Sequence, residues 1–299
     1  MKNAADGRFI KRRDMDSSIG KKPRGGHDAE HHALYVYCIG ERDDVESLFD
    51  GELPGAVEQA PLDFVAADDL AAVISEVPLL DYGQEPLQER LADATWVAVR
   101  AMRHEKVVEH FAARTSVIPL RFGTIYLRRD RVRKMLSERH AELRAIIKRL
   151  RDREEWGINV YRDMETLIKA VVSLSPRLKR ISRQAAEAGP GQSYLLRKQI
   201  DALSADEARR ETERVVAEIR SELAAASDGA SSLRVFKREM TEQGEVVAKL
   251  AFLVPKSRLA DFRALAERLA QRHRTSGFQL EMTGPWPAYN FSTVVDDNE

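Results

Sequence analysis

Apolar positions follow two rhythms along the chain. At 34–39 the run LYVYCI is aromatic and β-branched and stops at Gly40, and similar runs follow at 61–66 and 70–77, so three successive strands are predicted. The period then changes. From Pro86 onward, Leu87, Leu91, Ala94, Ala98, Ala101 and Val108 recur at three- and four-residue steps, with Glu89, Arg90, Arg100 and Arg103 opposite, which predicts one long amphipathic helix. VIPLRFGTIY (117–126) reads as a strand. Val132, Leu136, Leu143, Ile146, Ile147 and Leu150 mark a second helix, and EWGINVY (155–161) a further strand. The order ββ(β)αβαβ predicts an α+β unit over 33–161.

Residues 162–203 keep a helical period but are interrupted by Pro176 and by Gly189-Pro190-Gly191, which predicts a helical connector. A Ser-x-x-Glu capping box at Ser204 and Glu207 predicts a new helix carrying Val215, Val216, Ile219 and Leu223. Strand-like runs at 232–240 and 246–254 flank the turn TEQG. A helix from Ser257 with Leu259, Phe262, Ala266 and Leu269 follows, then the strand FQLEM. The expected second unit, 204–292, is αββαβ, ferredoxin-like in outline. The predicted fold class is α+β with two domains, each a mostly antiparallel sheet covered by helices, and no repeat recurs at a fixed period. Residues 1–32 have no period and contain Gly20, Pro23, Gly25 and Gly26, so a disordered leader is expected, and 293–299 form an acidic tail.

Length and composition agree with this division. A chain of 299 residues is about twice the size of one ordinary domain. No apolar run approaches the roughly 18 residues that would cross a bilayer, and the leader lacks the apolar core of a secretory signal, so a cytoplasmic protein that does not enter membranes is expected. The single cysteine, Cys38, lies inside ALYVYCI and reads as a core residue; it supports neither a disulfide framework nor a thiolate zinc site. The net charge of zero conceals segregation. Residues 41–85 carry 13 Asp or Glu against Arg42, whereas residues 121–153 carry 12 Lys or Arg against four acids.

Catalytic signatures are scarce. The sequence contains no GxxxxGK[ST], GxGxxG after a strand, GxSxG or HExxH pattern. HDAEHH at 27–32 places His27 and His31 four apart, but in a segment not expected to be helical, so no metal site and no cofactor are expected. His104 falls with Val97, Ala101, Val108 and Phe111 on the inner face of its helix, beside Glu105. It reads either as a core histidine or as an acid-base residue titrating near neutrality. The basic segment 128–153 reads as a solvated face, as a complement to the acidic residues of 41–85, or as a phosphate-binding surface starting at Arg128, Arg129 and Arg131. It lacks interleaved aromatics, and nucleic acid is not expected as the partner.

Two stretches stand apart. In VIPLRFGTIY, alternation sends Ile118, Leu120 and Phe122 to one face and Arg121 to the other. Pro119 and Gly123 weaken a strand, so an edge, a bulge or a close backbone approach is expected there, with Glu155 of EWG as the expected partner of Arg121. In TGPWPAYNF (283–291), Pro285 and Pro287 stiffen an extended strap that offers Trp286, Tyr289 and Phe291, either to its own domain or to another protein.

Together with YVYCI, RHEKVVEHF and EWGINVY, these stretches resemble, in order and spacing, the gas vesicle accessory family GvpF/GvpL over about residues 34–292. The residues carrying the likeness are Pro119, Leu120, Arg121, Phe122 and Gly123; Glu155, Trp156 and Gly157; and Gly284, Pro285, Trp286, Pro287, Tyr289 and Phe291. Ala288, Asn290 and Cys38 depart from the family's usual proline, serine and glycine. The resemblance implies a noncatalytic protein, associated with gas vesicles, that contacts the major shell protein and other accessory proteins and aids shell nucleation or growth.

Overall fold

The structure, a computed structural model, describes residues 32–236 and 239–292. The expected leader and acidic tail, and His27 and His31 of HDAEHH, lie outside these residues.

The chain opens with β1 (His32–Glu41), followed by helix α1 (Arg42–Ser47) and the hairpin β2 (Leu62–Ala67) and β3 (Leu70–Pro78). After the short helix α2 (Leu79–Tyr82), the long helix expected from Pro86 is divided into α3 (Gln84–Arg90) and α4 (Ala94–Ala112). The break between α3 and α4 comes from Asp93, whose carboxylate accepts from the N–H groups of Thr95 and Trp96 and caps α4 afresh. VIPLRFGTIY is likewise two short strands, β4 (Val117–Pro119) and β5 (Ile125–Tyr126), both paired with β1, rather than one. The expected second helix is also divided, at Arg139, into α5 (Arg129–Glu138) and α6 (His140–Leu150), which complete this part.

All pairings in the first sheet are antiparallel, in the order β2-β3-β1-β4. A bulge in β1 between Val36 and Cys38 changes the phase of its side chains. Tyr35, Tyr37 and Cys38 therefore share the face covered by Val107, Val108 and Phe111 of α4, while Leu34, Val36 and Ile39 face α5 and α6. Cys38 is fully buried, as a core residue should be, and burial pushes its thiol well above the ordinary value.

The strand EWGINVY, read from its position as the close of the first unit, lies in the other sheet. It is β6 (Arg153–Arg162), the strand between β9 (Gly244–Pro255) and β10 (Phe278–Trp286). Alternation shows that a segment is a strand but not which neighbours complete its ladder. After β6 come α7 (Met164–Leu174), α8 (Pro176–Glu187) and the 36-residue α9 (Pro190–Ala225), then β7 (Gly229–Leu233), β8 (Met240–Thr241), β9, α10 (Leu259–Arg274) and β10. The capping box at Ser204 does not start a helix. Ser204 is buried inside α9 and its hydroxyl donates to the carbonyl of Ile200, so the expected connector breaks at Pro176 and at 188–189, as its sequence implied, but from Pro190 runs on into the helix covering the second sheet. Leu167, Val171 and Leu178 from that segment share one core with Val215, Ile219, Phe252 and Phe262.

With β6 as its first strand, the second part is βαββαβ in the order β10-β6-β9-β7, the ferredoxin-like arrangement. The first part has the same order: β1, β2, β3 and β4 correspond to β6, β7, β9 and β10. The likeness lies in topology, without a sequence period to announce it. The two parts share a core, in which Ala251 and Leu253 of β9 and Phe291 join Ile118 and the apolar faces of α5 and α6.

The opposed charges turn out to be neighbours. Arg144 reaches Glu41 (2.9 Å) and Asp69 (3.0 Å), Arg151 reaches Glu41 (2.7 Å), and Arg129 pairs with Asp63. Three arginines of the basic segment are therefore counter-ions of the acidic one, and Arg129 of the suggested phosphate-binding surface is already engaged. No helix among the described residues is long and apolar enough to cross a membrane.

Candidate functional site

The two distinctive stretches meet at the C-terminal strap, in the junction between the sheets. Pro119 pairs with Cys38 at the edge of the first sheet, and the Leu120 N–H donates to the Tyr37 carbonyl (2.9 Å). The chain then turns through residues 121–124, where the Arg121 carbonyl accepts from the Thr124 hydroxyl (2.7 Å). Gly123 has φ 83°, and its N–H donates to the Tyr35 hydroxyl (2.9 Å). This is the close approach that Pro119 and Gly123 led us to expect, and glycine is the residue that adopts that conformation without strain. Because the chain turns, Leu120 packs toward α5 and α6 while Phe122 packs on the opposite core, with its ring 5.9 Å from that of His104. The expected common face of Ile118, Leu120 and Phe122 is thus divided.

Arg121 is exposed and does not pair with Glu155. Glu155 is 4% exposed, and its carboxylate accepts from the N–H of Asn290 (3.0 Å) and from the Asn290 side-chain amide. Burial raises its pKa, against the lowering effect of those two donors. Trp156 is buried beneath the Arg263 guanidinium, 4.6 Å from the ring centre. Gly157 lies opposite Thr283, where a Cβ would stand 2.5 Å from the threonine hydroxyl. The ladder with β10 shifts register between Thr283 and Trp286, across Gly284 (φ 120°) and Pro285.

Beyond Pro287 the strap carries Tyr289 to the first sheet. The Tyr289 hydroxyl lies 3.0 Å from Glu105 and 3.2 Å from Nε2 of His104, whose Nδ1 lies 3.0 Å from the Tyr35 hydroxyl. A carboxylate only accepts, so Tyr289 donates to Glu105 and accepts from Nε2–H. Nδ1 then accepts from Tyr35, which accepts from Gly123. Every polar group in the chain from Gly123 to Glu105 is satisfied in one direction. Burial depresses the His104 pKa to about 4, so it does not titrate near neutrality. Burial also raises Glu105.

Two hollows flank the strap. One, of about 430 Å³, is bordered by Glu109, Thr115, Arg151, Lys256 and Trp286. The other, of about 370 Å³, is bordered by Glu105, Glu155, Asn159, Leu233 and Trp286. His104 borders neither, so its chemistry here is to hold the strap. Among the described residues no group of three His, Cys, Asp or Glu is placed to bind a metal ion. Sequence reasoning missed Tyr35 and Asn290 as members of this site. Tyr35 carried only the signal of a hydroxyl at a core position, and Asn290 carried none.

The strap side chains differ in depth. Phe291 is 9% exposed in the shared core, whereas Trp286 is 47% exposed, with its indole N–H donating to Thr283 (3.1 Å). Trp286→Ala is therefore expected to shift stability by no more than about 1 kcal/mol, within the range of half-exposed sites. A thermal melt lowered by more than a few degrees would show that the ring is framework.

Comparison with known proteins agrees with this architecture. A profile described as gas vesicle synthesis protein GvpL/GvpF matches residues 33–293. Gas vesicle protein L of Streptomyces sp. (strain CB03234) is 28% identical over 268 residues, covering 88% of this chain and 94% of the relative. Gas vesicle protein F of the same strain is 28% identical over 237 residues, covering 77% and 87%. The crystal structure of GvpF from Anabaena sp. PCC7120 superposes with a TM-score of 0.58 at 18% identity, covering 88% of this chain and 97% of that one; GvpF from Microcystis aeruginosa gives the same score and identity. Those two structures speak for the fold. The profile spans both sheets and the junction that its two distinctive stretches build, and the chain belongs to the GvpL/GvpF family of gas vesicle synthesis proteins.

Proposed function

We propose that this chain is a noncatalytic accessory protein that works in the cytoplasm, binds the major gas vesicle shell protein and other accessory proteins, and supports nucleation or growth of the shell. The observation that carries this reading is the outer edge of the second sheet. β7 ends the strand order, and beside it Phe236 (63% exposed) and Met240 (67%) stand in solvent with Leu233. By contrast, β2 packs against α5, β10, the other edge of the second sheet, packs against α10, and β4 is three residues long. An open edge flanked by apolar side chains suits β-augmentation by an extended apolar segment, the element of a shell subunit most in need of cover before incorporation. The GvpL/GvpF membership supports the gas vesicle context.

The test is co-purification of the full chain with the major shell protein. Wild type should retain it, and Phe236→Asp with Met240→Asp should lose at least tenfold in retention while melting at the same temperature. Equal retention by that variant would remove β7 as the docking edge, and no retention by wild type would overturn shell binding itself.

A further inference from the structure

The ion pairs that join the acidic and basic segments leave two surfaces out. The first is an arm. Helix α8 buries Leu178, Ile181 and Ala185 and turns Arg177, Lys179, Arg180 and Arg183 to solvent. The start of α9, packed on α8, adds exposed Arg197 and Lys198, with Tyr194 59% and Leu195 65% exposed. Residues 176–200 hold six Lys or Arg against Glu187 alone. Among the described residues their one ion pair is a loose contact between Arg177 and Glu207 at 3.9 Å.

The second surface is a rim on α1 and the turn after it. Residues 43–58 contain six acids and no Lys or Arg. Glu58 is taken by Arg100 (2.6 Å), but Glu46, Asp50 and Glu52 are exposed and form no ion pair among the described residues. Beside them is a hollow of about 280 Å³ bordered by Ser47, Leu48, Gly51, Glu52, His110 and Arg114. No ion pair among the described residues links arm and rim within one chain.

We infer that copies of this protein associate head to tail, the basic arm of α8 and α9 in one copy docking on the acidic α1 rim of the next. The occupant follows from complementarity: the chain is neutral overall, yet each surface carries the charge the other lacks, and the hollow at the rim receives the exposed Tyr194 ring as an apolar anchor. Charges of this kind steer and orient, while the buried aromatic supplies affinity. Because arm and rim are different surfaces, the contact is heterologous and builds a ring or an open row of copies rather than a closed two-fold pair. It is independent of the β7 edge and of what docks there.

Sedimentation of the full chain provides the test. At about 0.05 M salt the wild type should form assemblies that dissociate at about 0.5 M, where screening reaches within a few ångströms. Arg180→Glu with Arg183→Glu, and separately Asp50→Lys with Glu52→Lys, should each weaken association more than tenfold. All four residues are exposed, so both variants should melt like wild type. An equimolar mixture of the two variants should associate again, since each reversed surface meets its complement. A wild type that stays monomeric at low salt, variants that associate like it, or a mixture that remains monomeric would each overturn the pairing.

Discussion

Phe291→Ala is expected to destabilise the protein by about 3–5 kcal/mol, the cost of removing a buried phenyl ring and leaving its cavity. The ring is the peg by which the strap enters the core shared by both sheets, packed among Ala251 and Leu253 of β9 and the apolar faces of α5 and α6. Gly229 runs directly beneath it, where a Cβ would stand 3.0 Å from the ring, and the Arg149 guanidinium donates to the Phe291 carbonyl. Little nearby is free to collapse into the space. For a chain of this size the melting temperature should fall on the order of 10 °C. Phe291→Leu, which fills most of the volume, should cost less than about 1.5 kcal/mol. A melt of Phe291→Ala within two degrees of wild type would mean that the strap does not join the two parts. Set against the small effect expected for Trp286→Ala, the pair separates framework from exposed surface within one short segment.

The second large effect is acid sensitivity centred on His104. In the unfolded chain its imidazole protonates near the ordinary 6.5, whereas in the fold burial holds it neutral down to about 4. Between those values the unfolded state binds more protons, so stability falls as pH falls through that window and levels off below it. Each pH step is worth about 1.4 kcal/mol, which makes the loss about 3 kcal/mol. Glu105 and Glu155 act in the opposite sense, because burial raises their carboxyl pKa values and folding then favours the protonated form as pH falls. Both remain in a His104→Gln variant, whose side-chain amide can still donate to Tyr289, so the comparison removes most of their contribution. Denaturant unfolding from pH 7 to 4 should show wild type losing about 3 kcal/mol more than His104→Gln. Parallel curves for the two proteins would show that the imidazole does not carry the effect.

Elements with strong local signals were legible. The buried strands β1 and β3, the amphipathic periods of α4, α5 and α6, and the Pro119 and Gly123 interruption all follow from side chains within a few residues of one another. The helix breaks were harder. At Asp93 the apolar period continues while the cap restarts the helix, and at Ser204 a capping pattern occurs in a helix already under way; in both, hydrogen bonding to a particular backbone group outweighed the pattern. The placement of β6 was not legible. A strand with apolar residues on both faces needs two partners, and those partners, β9 and β10, lie about 90 and 120 residues further along the chain.

The site divides in the same way. PLRFGT and TGPWPAYNF stand out as stretches, since proline, glycine and aromatic spacing are local facts, and with the other strings they pointed to the family. That Tyr289 crosses to His104 and Glu105, that Glu155 holds Asn290 rather than Arg121, and that Arg129, Arg144 and Arg151 meet Asp63, Glu41 and Asp69 depend on groups far apart in sequence. Local order in the chain determined which segments form strands, turns and helices, because backbone conformation responds to near neighbours. Folding in space decided which sheet each strand joins and which polar groups meet, because burial makes a polar group without a partner costly, wherever in the chain that partner lies.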